Sequence, residues 1–171
     1  DTETSSLNPL EADLVGISFS YAPNKACYIP LAHKNIKGLK KEVVLKKIKP
    51  ILEDPSIKKV GQNIKFDFLI LNQNNIEITP LEDTMLISYT LDAGTNRHNL
   101  DTLSEIHLNH KTISYKELVG TGKNKLNFSD ITLDKATEYA AEDADVTLRL
   151  YNYLRARLDE EKLNKIYENF E

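Results

Sequence analysis

The run Leu14-Val15-Gly16-Ile17-Ser18-Phe19-Ser20-Tyr21-Ala22-Pro23-Asn24-Lys25-Ala26-Cys27-Tyr28-Ile29 sets two apolar stretches on either side of a Pro-Asn pair. Short runs rich in β-branched and aromatic residues read as strands, and Pro-Asn between them reads as a turn. Leu14 to Phe19 and Ala26 to Ile29 therefore predict a β-hairpin. Only Asp1-Thr2-Glu3-Thr4 and a short connection precede it, so the hairpin is expected to continue a sheet that begins upstream of Asp1.

Beyond the hairpin the apolar period lengthens. From Lys40 to Leu52, Val44, Ile48, Ile51 and Leu52 recur at helical spacing with lysines outside, and Pro50 is expected to loosen the last turn. Lys58 to Gly61 predicts a short strand, Phe66 to Leu71 a helix, and Ile76-Glu77-Ile78 another strand. Thr84 to Leu91 and Asn99 to His110 predict helices, and Gly120 to Lys125 a polar loop. The longest element is expected from Leu133 to Leu163, with Thr132 as its N-cap. Its Ala140, Ala141 and Ala144 would let it approach a sheet closely. Strands first, then helices joined by crossovers, predict the α/β class: a mixed β-sheet flanked by helices in one domain spanning residues 1–171.

The 171 residues are 40% hydrophobic and 28% charged, an ordinary composition for one water-facing domain. No apolar run approaches the roughly 20 residues of a membrane span, and the opening residues do not read as a charged-then-apolar secretory signal. Cys27 is the single cysteine, which excludes an internal disulfide and a cysteine-based zinc site and fits a reduced intracellular setting. In its strand Cys27 reads as a small buried residue. The net charge of −4 argues mildly against holding duplex DNA on a broad basic surface. It leaves room for a carboxylate cluster whose charge bound cations would cancel.

Four carboxylates stand out. Asp1 and Glu3 are two apart, which on an extended strand points both at one spot. Asp67 follows a strand, a glycine turn and two amides at a helix start, where it would also favour the positive end of the helix dipole. Tyr139 and Asp143, four apart, stack on one face of the long helix. Glu142 and Asp145 point elsewhere and read as a solvated charged face. Four hard oxygen donors from three segments suit Mg²⁺ or Mn²⁺. Two such ions about 3.5–4 Å apart can clamp the attacking and leaving oxygens of a phosphoryl displacement.

Asp1-Thr2-Glu3-Thr4, Val60-Gly61-Gln62-Asn63-Ile64-Lys65-Phe66-Asp67 and Tyr139-Ala140-Ala141-Glu142-Asp143-Ala144-Asp145 closely resemble, in order and spacing, the three exonuclease motifs of bacterial DNA polymerase I. The likeness extends through Asp83-Thr84-Met85, Gly94 to Leu103 and His110 to Ile113. It identifies the chain with the tyrosine branch of the DEDD exonucleases and implies a ribonuclease H-like fold. Further implied are 3′→5′ proofreading hydrolysis of single-stranded or mismatched DNA ends, two divalent cations (Mg²⁺ or Mn²⁺, with Zn²⁺ also admitted) and a cytoplasmic, nucleoid-associated setting. By the same resemblance, Asp1, Glu3, Asp67 and Asp143 hold the metals and Tyr139, with Glu3, orients the nucleophile. Leu7, Gln62, Asn63, Arg97 and Tyr115 match positions beside the DNA strand, with core packing the alternative for Leu7 and Tyr115 and a surface ion pair for Arg97.

Phe66 stands where many relatives have tyrosine, which removes a hydroxyl and no ligand. Residues preceding Asp1 are expected in the parent, and Lys162 to Glu171 resembles the junction to a polymerase domain of that same chain. The isolated domain is expected to be a monomer. His107 and His110 lack a third ligand nearby and read as structural or exposed. A ribonuclease D-like RNA exonuclease and a catalytically silent structural module remain the alternatives.

Overall fold

The computed structural model describes residues 1–34, 36 and 39–169. The hairpin is present as β2 (Leu14–Ala22) and β3 (Lys25–Pro30), with β1 (Thr2–Thr4) antiparallel on the other edge of β2. Asn24 turns the hairpin with φ 62°, a left-handed conformation that asparagine tolerates. Gly16 is dictated by contact: a Cβ there would lie 2.0 Å from the Tyr28 hydroxyl. That hydroxyl hydrogen-bonds the His33 Nε2 at 2.8 Å, so ring and strand close together.

A second, parallel pair joins β4 (Lys59–Gly61) to β5 (Leu81–Asp83). The mixture of pairings expected from the crossovers is thus divided between two small sheets. Around them lie α1 (Lys41–Leu52), α2 (Lys65–Gln73), α3 (Thr84–Asp92), α4 (Leu100–Leu108), α5 (Tyr115–Val119), α6 (Leu133–Glu160) and α7 (Asn164–Glu168). The first half of α6 lies on β2 and β3 through Ala136, Ala140 and Ala144, all buried at four-residue spacing. Its second half buries Val146, Leu150, Leu154 and Leu158 against Ile87, Leu103 and Tyr167. Among the described residues no helix is long and apolar enough to cross a membrane.

Several local expectations change. Ile76 and Ile78 are buried but pair with no strand among the described residues; the strand falls instead at Leu81–Asp83. There the Ile76 amide closes back onto the Leu71 carbonyl at the end of α2, so alternate burial arises without a ladder. Ile51 is exposed, and Val44 and Leu52 carry the buried side of α1, which runs through Pro50 to its end. Cys27 is exposed: Tyr28 beside it points inward, and alternation along β3 turns the thiol outward. Thr132 holds the N-cap position of α6 without a side-chain hydrogen bond. Within the segment resembling a domain junction, α7 packs onto the core through Tyr167, and Phe170 and Glu171 lie outside the described residues.

Candidate active site

β1 presents Asp1 and Glu3 on one face, and α6 brings Asp143 to the same place. One carboxylate oxygen from each of these three lies within 4.8 Å of the others. Glu3 and Asp143 are buried, Asp1 is exposed, and the Glu3 Oε1 is buried with no hydrogen-bond partner among the described residues. Such crowding penalises charge. Burial, then the Asp143 carboxylate, raises Glu3 to about 8. Burial raises Asp143 to about 7, against the hydrogen bond from Tyr139 that favours its ionised form. Burial, then the charge of Asp143, pushes the Tyr139 hydroxyl far above its ordinary value, so it stays a protonated donor.

Asp67 reaches the site by a different route. β4 ends in Gly61, where a Cβ would meet the Ile64 side chain at 2.8 Å, and Asn63 turns the chain with φ 57°. The buried Asp83 carboxylate accepts the amides of Asn63 (2.9 Å), Ile64 (3.1 Å) and Met85 (2.8 Å), which fixes that turn against α3 and starts α2 two residues before Asp67. The Asp67 Oδ1 then accepts both the Thr2 amide (2.7 Å) and the Thr2 hydroxyl (2.6 Å). Asp67 is therefore clamped to β1 beside the other three carboxylates' face, outside their mutual contact. Asp83→Ala would strand three amides, that of the buried Ile64 at about 1–3 kcal/mol and those of the more accessible Asn63 and Met85 at less. Urea titration is expected to find about 2 kcal/mol of lost stability by this reckoning.

A groove of about 780 Å³ runs past these residues. Its walls include Asp1, Glu3, Asp67, Tyr139 and Asp143, together with Leu7, Gln62, Asn63 and Tyr115. Leu7 stands 79% exposed, so it is not core, and Tyr115 is half-buried with its ring 6.1 Å from that of Tyr139. The Gln62 amide is committed internally, donating to the His98 carbonyl (2.7 Å) and accepting from the Thr84 hydroxyl (2.6 Å). Arg97 is exposed and is not part of the groove wall.

Four residues acquire roles that sequence reasoning did not give them. Thr2 sits between two acidic residues, and strand alternation alone turns it away from them, toward Asp67. Asp83 carries the signature of an N-cap ahead of Thr84-Met85, and the structure adds the bonds to Asn63 and Ile64. Glu142 is not a solvated charge: it accepts from the Ile113 amide (2.7 Å) and pairs with His110 Nε2 (2.8 Å), holding the loop that leads to Tyr115. Asp145 likewise binds the Asn24 amide and Arg149. The serine and glutamate of Ser114-Tyr115-Lys116-Glu117 form a capping box, a legible signal for α5.

A family model described as 3′–5′ exonuclease matches residues 1–159. DNA polymerase I of Rhizobium leguminosarum is 44% identical over all of this chain, that of Pseudomonas aeruginosa 42% over 93%, and that of Borreliella burgdorferi 40% over all of it. The chain spans about a fifth of the length of these relatives, 19%, 18% and 18%. Among solved structures, Brucella melitensis NrnC superposes with a TM-score of 0.75 at 26% identity, covering 99% of this chain and 76% of that one. The same protein with bound Mg²⁺ gives 0.73 at 25%, with the same coverage. Pol1 of M. smegmatis, at 19% identity and TM-score 0.66 over 89% of this chain and 22% of that one, shares the fold. The architecture is ribonuclease H-like, and the chain belongs to the 3′–5′ exonuclease family, of the kind carried within DNA polymerase I.

Proposed function

We propose that this domain removes nucleotides one at a time from the 3′ end of single-stranded or frayed, mismatched DNA, serving as the proofreading part of a longer polymerase chain. The observation that carries the reading is the Asp1–Glu3–Asp143 cluster, with a buried Glu3 oxygen that no group among the described residues satisfies. An all-oxygen donor set of this charge fits a hard divalent cation, Mg²⁺ or Mn²⁺. Asp1, Glu3 and Asp143 would hold one such ion, and Asp1 and Asp67 a second. Bound there, the cations would supply the lowered pKa of an attacking water and neutralise charge on the phosphodiester.

The chain's own groups do the positioning. Tyr139, kept protonated, holds a hydrogen against the oxygens around Asp143 and orients the attacking water together with Glu3. Tyr115 offers a ring face on which any base can lie, and Leu7 offers an exposed apolar edge to the terminal base. Neither reads sequence, as the removal of arbitrary mismatches requires. Tyr139→Phe is expected to slow turnover roughly ten- to hundred-fold, the value of about 1.5–3 kcal/mol for a hydrogen bond to a charged group.

A 5′-labelled single strand, incubated with the chain and Mg²⁺ or Mn²⁺, is expected to shorten in single-nucleotide steps from its 3′ end and to persist in chelator. A matched RNA strand run alongside should shorten more slowly. Faster digestion of RNA would give the substrate to the ribonuclease D-like alternative, and an intact strand with either metal would overturn the nuclease reading.

A further inference from the structure

The groove that must accept a polyanion is lined by four carboxylates, and Lys125 is the one basic side chain among its described lining residues. Lys125 makes no ion pair among the described residues, although Asp1, Glu3, Asp67 and Asp143 line the same groove. Its ammonium lies instead 5.6 Å from the centre of the Tyr115 ring. The loop that carries it is fixed on both sides. The Leu126 amide donates to the Val119 carbonyl (2.8 Å), and the Asn127 side chain donates to the Ser5 carbonyl (2.6 Å), tying the loop to the segment that leads from β1 to Leu7. Leu126 beside it is 49% exposed, a second apolar side chain in the same wall.

We infer that Lys125 binds a phosphate of the incoming strand, a contact that rests on the nuclease reading above. The ammonium sits over the Tyr115 ring, so a base taking that face displaces it, and the tethered lysine then meets the sugar-phosphate of the same nucleotide. The acidic end of the groove repels that backbone until cations cancel its charge, so the cation beside Tyr115 is the protein's own counter-charge for the strand. A lysine serves this purpose as a point charge, recognising phosphate without regard to base. Lys125 is thus a binding residue for the phosphodiester backbone of a single strand and takes no part in bond cleavage.

The test is the salt dependence of Lys125→Ala and Lys125→Arg, read two ways: fluorescence anisotropy of a labelled single strand in chelator, and kcat and KM with Mg²⁺. One lost phosphate contact should reduce the slope of log affinity against log salt by about 0.7 in Lys125→Ala. KM should rise roughly tenfold at low salt while kcat moves less than about twofold. Lys125→Arg should retain the wild-type slope. An unchanged slope in Lys125→Ala overturns the assignment, as does an equal loss at every salt concentration, which would mark Lys125 as packing for Tyr115. If the wild-type chain shortens no strand, the nuclease reading falls, and Lys125 is still decided by the binding slope.

Discussion

Asp143→Ala is expected to lower kcat/KM for single-strand digestion by roughly a thousandfold or more, the loss of about 4 kcal/mol that follows when a cation's charge stabilisation is misplaced. The reason is positional. Asp143 joins a strand-borne pair, Asp1 and Glu3, from an opposing helix, so its removal takes away the ligand that α6 brings to that cluster. The fold should not suffer. The site faces β2 and β3 beside Ala140 and Ala144, alanine is a stronger helix former than aspartate, and a buried carboxylate whose ionisation is penalised disappears. In chelator, circular dichroism and Tm should therefore match or exceed the wild type, while turnover with Mg²⁺ collapses. Glu138→Ala, on an exposed part of the same helix, should digest DNA at the wild-type rate. Retention of more than about a tenth of wild-type kcat/KM in Asp143→Ala would remove Asp143 from the site, since a tenfold loss corresponds to only 1.36 kcal/mol.

What the sequence made legible follows its periodicities. The β2–β3 hairpin and the long α6 each repeat a local pattern over many residues, and both appear close to where that pattern places them. The same arithmetic put Asp1 with Glu3 on one strand face and Tyr139 with Asp143 on one helix face. That these two faces meet is a tertiary fact without a local signature, and it was reachable only through the resemblance of the three motifs. The failures have the same cause. Ile76 and Ile78 alternate like a strand because both are buried, but their backbone finds no strand partner among the described residues, and β4 pairs with Leu81–Asp83 instead. Glu142 does point away from Asp143, yet the loop at His110 to Ile113 covers that direction and takes up its carboxylate. Asp83 gathers amides from two separate turns, a pattern that no spacing rule anticipates.

Metal binding should reverse the pH dependence of stability. In the metal-free chain burial raises Glu3 from 4.5 to about 8 and Asp143 from 3.8 to about 7. Folding therefore holds protons that the unfolded chain releases, so stability is greatest below the unfolded values and is lost as pH rises to the folded ones. Melting in chelator is expected to fall across the window from 4.5 to about 8 that Glu3 defines and to level off above it. Glu3→Gln cannot ionise, and its amide can donate to the neighbouring carboxylates. It should melt above the wild type at the alkaline end of that window and converge with it at the acid end. Cations need the ionised carboxylates, so their stabilisation grows in the opposite sense, as protons cease to compete. A free cation concentration about a thousandfold above its dissociation constant adds about 4 kcal/mol, or roughly 8–16 °C in Tm for a chain of this size. Glu3→Gln should forfeit most of that increment while gaining in its absence, so one carboxylate carries opposite signs in the two states. A Glu3→Gln chain that melts below the wild type in chelator at the alkaline end, or gains as much from metal, would show that the buried oxygen is satisfied by something other than a cation.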